Sequence, residues 1–183
     1  MTTANPLPIQ LGAEQKSAPV MIYTTSGISW GEVVVKEHIR VSTWLRTNAA
    51  PEVVCLYNAR TLVTTTAAGT PRPMKFLELH IHTDQILAFH LVPPAHDPVD
   101  YDPAEPNKKM EPVALMFGAF RADGVIRMSN LMSLARHVEV TRETFLPVYD
   151  AEIFCPSLPS IGLIRTPYVL IRQSTSLFGT KSA

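Results

Sequence analysis

Two histidines, His80 and His82, alternate in the run MKFLELHIHTDQI. On an extended strand, residues two apart share a face, so His-x-His can bring two imidazoles to one metal ion. Glu78 or Asp84 would add an oxygen ligand, and His90 and His96 follow downstream. The spacing sets no third ligand, and histidines on a solvated strand face are common. His80 and His82 are therefore metal candidates whose first reading is a polar strand face, and no metal or other cofactor is expected. Arg40 and Arg127 each stand two residues before a serine, Ser42 and Ser129. An arginine beside a hydroxyl can grip an anion. Helix capping explains the serines more simply, with the arginines tied to acids or carbonyls. Tyr57-Asn58 and Tyr149-Asp150 form a second pair of ligand-contact candidates. A tyrosine plugging a barrel end beside an Asn or Asp that shapes a turn is the favoured account of them. Cys55 lies among Val53, Val54, Leu56 and Tyr57, where nothing activates a thiolate, so an inert core thiol is expected.

Several catalytic patterns are missing. The sequence has no P-loop, no Gly-x-Gly-x-x-Gly, no nucleophile elbow, no His-Glu-x-x-His and no Cys-x-x-Cys. The paired motifs of cyclic-dinucleotide receptor barrels are also absent: Arg121 and Arg127 are wrongly spaced, and no Asp-x-Ser-x-x-Gly follows. No catalytic residue is assigned, and the chain is read as a non-enzyme.

The elements that must position these residues follow from composition and pattern. The chain has 183 residues, enough for one ordinary domain or two very small ones. Apolar residues make up 46% and charged residues 17%, which provides a core and argues against wholesale disorder. Sixteen Lys+Arg balance sixteen Asp+Glu, which disfavours a basic nucleic-acid binder and a polybasic membrane clamp. Sixteen prolines against eight glycines favour strands and loops over long helices. Pro6, Pro8 and Pro19 interrupt the first 19 residues, so no secretory signal is expected. The nearly uncharged stretch from Ile153 to Ile164 is too short for a membrane span and holds Pro156 and Pro159. Cys55 and Cys155 both lie in apolar, strand-like surroundings. Reduced, buried thiols and a cytoplasmic address are expected, although spacing alone leaves a disulfide between them open.

The chain also repeats itself. GEVVVKEHIRVSTWL from Gly31 aligns with GAFRADGVIRMSNLM from Gly118, matching Arg40 to Arg127 and Ser42 to Ser129. VVCLYNARTL from Val53 aligns with FLPVYDAEIF from Phe145, matching Tyr57 to Tyr149 and Ala59 to Ala151. MKFLELHIHTDQI from Met74 and TPYVLIRQSTSL from Thr166 share an alternating pattern. Three blocks in one order imply a tandem duplication. Its expected parts are a tail at 1–19, a first repeat at 20–92, a Pro/acidic crossover at 93–112, a second repeat at 113–179 and a tail at 180–183. The crossover carries six prolines and five acids against two lysines, and is expected to be extended and solvated.

Within each repeat the pattern is of short strands. Leu77, Leu79 and Ile81 alternate with Glu78, His80 and His82. One helix is expected after Ser129 as N-cap, with Leu131, Leu134, Ala135 and Val138 on one face. A shorter turn should follow Ser42. The expected fold class is all-β with one or two short helices. It would consist of two tandem small antiparallel β-barrels related by a pseudo-twofold axis, each marginal as a lone core.

Ile126-Arg127-Met128-Ser129 and Phe145-Leu146-Pro147-Val148-Tyr149-Asp150-Ala151 resemble the motifs of an uncharacterised bacterial family of small β-barrel domains. The first repeat departs from them, with Asn58 in place of the acid and Val53-Val54 in place of Phe-Leu. The resemblance implies an Sm-like or SH3-like barrel and no transferable activity. The favoured function is a binding or assembly module acting through self-association or a protein partner. One alternative is an RNA-binding small barrel using Arg121, Arg127, Arg136, Arg142, Arg165 and Arg172, which the neutral charge disfavours. The other is a metal-dependent enzyme using His80 and His82.

Overall fold

Alternating apolar and polar residues, broken by glycine and proline, give ten strands and little helix among the described residues. A computed structural model describes residues 7–47, 50–64 and 72–180. The strands are β1 (Gln15–Tyr23), β2 (Gly27–Lys36), β3 (Val53–Val63), β4 (Met74–His82), β5 (Ala88–Leu91), β6 (Lys108–Phe117), β7 (Phe120–Ser129), β8 (Phe145–Phe154), β9 (Ile164–Arg172) and β10 (Ser176–Gly179). A 3₁₀ segment at Val41–Arg46 follows β2, and one short helix, α1 (Leu134–Val140), follows β7. All neighbouring strands pair antiparallel. The protein is mostly antiparallel β.

The strands form one sheet in the order β10-β6-β7-β8-β9-β5-β1-β2-β3-β4. The sheet is open, with β4 and β10 at its two ends. Each half of the chain contributes five consecutive places in the same internal order. The halves meet where β9 adds to β5, pairing Ala88 with Ile171 and Phe89 with Leu170. Strands in like places of the two halves do not lie side by side among the described residues, so the halves join head to tail. The expected pseudo-twofold relation would set like against like, and the strand order does not have that form.

Local features recur between the halves. β2 and β3 slip register between Trp30 and Glu32, and β7 and β8 slip between Asp123 and Val125. A glycine sits at each slip. A Cβ on Gly31 would lie 2.7 Å from the Tyr57 carbonyl oxygen, and one on Gly124 would lie 2.9 Å from that of Tyr149. Opposite them, Asn58 and Asp150 adopt φ of 50° and 49°. Asn and Asp tolerate this left-handed region better than other non-glycine residues.

These positions correct the first sequence alignment. Gly31 corresponds to Gly124, not Gly118, which has φ of +57° in the turn joining β6 to β7. Arg40 lies after β2, whereas Arg127 lies inside β7, so the two arginines are not counterparts. The Tyr57/Tyr149 and Ala59/Ala151 matches agree with the strand register.

Other boundaries move as well. Gln15–Tyr23 is strand, so residues 15–19 are not tail, and β6 begins at Lys108 inside the expected crossover. The helix starts later than expected. Ser133, not Ser129, caps it by accepting from the Arg136 N–H at 3.3 Å. Ser129 ends β7, and Leu131, placed on the buried face by the pattern, is 92% exposed. Ser42 caps nothing; it lies within the 3₁₀ segment.

Two apolar clusters hold the halves together, and each draws on both. The first joins Val20, Ile22, Val33, Val54 and Phe89 to Phe145, Tyr149, Tyr168 and Leu170. The second joins Phe117, Phe120, Ile126, Val148 and Val169 to Tyr23, Ile28, Leu62 and Leu87. A half of this size has a marginal interior by itself, and burial against the other half adds to it. Among the described residues, no helix is long and apolar enough to cross a membrane.

Candidate functional site

The polar residues collect in three places. The first is the seam between the halves. The 3₁₀ segment after β2 points Arg46 at the crossover, where Asp100 is held with a side chain 14% exposed. Arg46 Nη1 donates to Asp100 Oδ2 at 2.7 Å and to the Tyr168 hydroxyl at 3.2 Å. Its Nε and Nη2 both reach Glu143 Oε2. The Tyr149 hydroxyl donates to Asp100 Oδ1 at 2.6 Å, and the Tyr168 hydroxyl donates to Oδ2 at 3.0 Å. Burial, reinforced by the Asp100 charge, pushes both phenols well above the ordinary tyrosine range. Tyr101 packs edge-on against Tyr149, and the Arg127 guanidinium lies 4.8 Å from the Tyr101 ring centre. Asp97 accepts from the Ser42 backbone N–H at 2.9 Å. Most of the crossover before β6 is exposed, and Asp97, Asp100 and Tyr101 fasten it across the seam.

Every group in this network is matched. Asp100 takes a guanidinium and two phenols at once, so the seam acts as a clamp between the crossover, the 3₁₀ segment and the second half. Tyr149 is tied into that clamp through its hydroxyl. Arg127 donates to the Asp102 carbonyl and to Glu105, also in the crossover. Arg40 is exposed and reaches the Val99 carbonyl at 3.5 Å. The two arginines do not form equivalent anion grips. The arginines of the nucleic-acid alternative are largely committed too: Arg136 pairs with Glu139, Arg165 with Glu152, and Arg172 with backbone carbonyls.

The second place is the buried pair Tyr23 on β1 and His90 on β5, which no sequence pattern joins. The Leu91 carbonyl accepts from Nδ1 at 2.7 Å, so Nε2 is the acceptor for the Tyr23 hydroxyl at 2.9 Å. His90 is fully buried, and loss of hydration lowers its pKa to about 4. The imidazole is neutral and internal, far from solvent chemistry.

The third place is the outer face of β3 and β4. Strand pairing sets Cys55 directly opposite His80 and Tyr57 opposite Glu78. Cys55, Glu78 and His80 bring one donor atom each within 4.8 Å of one another. His80 Nε2 lies 3.6 Å from Glu78 Oε2. The expected alternation of β4 holds for Leu79 and Ile81 on the inner side, but Leu77 is 73% exposed. His82 is not part of the cluster, and neither is Asp84. The sequence identified His80 and Glu78 but not their third companion, because Cys55 is brought across by register. Burial pushes the Cys55 thiol up, which argues against a free nucleophile. Beside it runs an open groove of about 480 Å³ whose lining includes Cys55, Tyr57, Trp44, Lys36 and His38. Cys155 is buried in the second apolar cluster, and both cysteines are free.

Comparison with known protein families, curated proteins and solved structures finds no match for this chain.

Proposed function

We propose that this protein is a non-enzymatic assembly module: two related small β units that join head to tail, with free edges on which the next copy docks. The observation that carries the reading is the internal junction itself. By strand register, β9 is the counterpart of β4 and β10 the counterpart of β5. The β9–β5 pairing is made inside the chain, while β4 and β10 end the sheet unpaired. A second copy that sets its β10 on β4 repeats the same join between molecules. Unpaired edges are templates for strand addition, and a heterologous join of this kind leads to rings or filaments.

Exposure supports the same conclusion. Tyr23 and Leu62, covered at the internal junction, are 0% and 8% exposed, while their counterparts Met116 and Phe154 are 46% and 41% exposed. These two line an open groove of about 600 Å³ beside β10, together with Leu177 and Phe178. At the other edge, Met74 and Leu77 are 47% and 73% exposed. Surface of this kind marks an interaction site on a folded protein. Arg172 closes the internal join by donating to the Ile86 and Thr83 carbonyls, and His82 holds the corresponding place on β4. The duplication, the Sm-like character of each unit and the cytoplasmic address belong to this reading.

Light scattering across a concentration series tests it. The mass should rise from 20.2 kDa in whole multiples, and Leu177→Lys on the β10 edge should return it to the monomer. A wild-type chain that stays monomeric at the highest soluble concentration overturns the proposal.

A further inference from the structure

The outer face of β3 and β4 carries a second function, independent of assembly. We propose that Cys55, Glu78 and His80 form a binding site for one borderline divalent cation of the zinc type. Three observations converge on it. The three donors differ in kind, a thiol, a carboxylate and an imidazole, and this mixture suits zinc better than magnesium or calcium, which take oxygen alone. They lie within 4.8 Å of one another. Ligand atoms about 2.0–2.3 Å from a tetrahedral zinc stand somewhat closer together than that, so small side-chain rotations complete the set.

The third observation is the backbone that carries them. Cys55 and His80 are directly paired across two antiparallel strands, and Glu78 precedes His80 by one side-chain repeat on the same face. Strand-borne ligands are held in place by the ladder, unlike ligands on a loop. Glu78 and His80 have side chains 46% and 61% exposed, so an ion has a direct path in. The groove beside Cys55 leaves a fourth coordination position for water or a small donor molecule. Binding forms a Cys55 thiolate–metal bond and releases the thiol proton to solvent.

His80 and His82, the pair singled out by the sequence, do not bind together on this geometry. His82 stands one repeat beyond the cluster and supplies no ligand, and Cys55 takes its part.

Cobalt(II) titration of the tag-free chain provides the test, run in parallel on wild type and on Leu177→Lys so that assembly cannot contribute. The expected result is one cobalt per chain, with a thiolate-to-cobalt charge-transfer band in the near ultraviolet that zinc displaces. Cys55→Ser should abolish the band while the far-ultraviolet circular dichroism stays native. Glu78→Gln and His80→Ala should each weaken binding at least ~10-fold, the loss already typical of outer-shell partners. His82→Ala should leave binding unchanged. No charge-transfer band, a band that survives Cys55→Ser, or a loss in His82→Ala equal to that in His80→Ala would each overturn the proposal.

Discussion

Acid should weaken this fold well before its carboxylates titrate, because His90 is buried as a neutral base. Its pKa is about 4 in the folded chain, against an ordinary value of 6.5. The folded value is depressed, so the unfolded chain takes up the proton first. The contribution to stability is complete above pH 6.5 and is lost as pH falls toward 4. A full shift of this size amounts to about 3 kcal/mol, of which about 2 kcal/mol is gone by pH 5. Protonation would also place an N–H donor on Nε2, where the Tyr23 hydroxyl now donates. His137 has its pKa lowered by partial burial and contributes in the same direction. Urea unfolding at a series of pH values between about 7.5 and 5 measures the slope. His90→Gln, which keeps a donor and an acceptor in place, removes most of that slope while lowering stability at neutral pH. An unchanged slope in His90→Gln would refute the reasoning.

Three further outcomes follow from the same coordinates. Gly124→Ala sets a Cβ 2.7 Å from Val148 Cγ1 and 2.9 Å from the Tyr149 carbonyl oxygen, and thermal unfolding should register a loss of roughly 2 kcal/mol or more. Asp100→Ala leaves Arg46 and two phenols without their shared acceptor, at a cost of about 3 kcal/mol in chemical denaturation, whereas Glu105→Ala on the exposed pair costs under ~1 kcal/mol. Tyr23, Tyr149 and Tyr168 all have raised pKa values through burial. In an alkaline titration the tyrosinate absorption of these three should therefore appear only as the chain unfolds.

The sequence exposed the strands better than their pairing. The Tyr57 and Tyr149 blocks align correctly because each holds an Asn or Asp at a left-handed position followed by an alanine packed against a glycine. That local geometry restricts residue type, so it leaves a visible mark. The Arg-x-Ser match failed because it rests on two residues that are common on any polar surface. One copy lies in a loop and the other in a strand, and no shared geometry constrains them. The helix start slipped from Ser133 to Ser129 because both serines stand just ahead of a leucine, Leu134 and Leu131, and only the packing distinguishes them. The crossover was legible in part. Proline and acid content reads as solvated and most of the segment is exposed, but the anchoring of Asp97, Asp100 and Tyr101 depends on partners far away in the chain. The Cys55–Glu78–His80 cluster was half legible. His80 and Glu78 show themselves through strand alternation, but the cysteine arrives only through cross-strand register.

The central claim is that the free edges of one molecule repeat the join already made inside it. That join pairs Ala88 with Ile171. Carried onto the counterpart strands, it places Leu177 of one copy opposite Ile81 of the next. Ile81→Cys/Leu177→Cys in a Cys55→Ser background should therefore give, on mild oxidation, a ladder of disulfide-linked species in multiples of the 20.2 kDa chain, since directly opposed strand residues meet disulfide geometry. The offset pair Leu77→Cys/Leu177→Cys should give almost none. Equal cross-linking from both pairs, or none from either, would contradict the account.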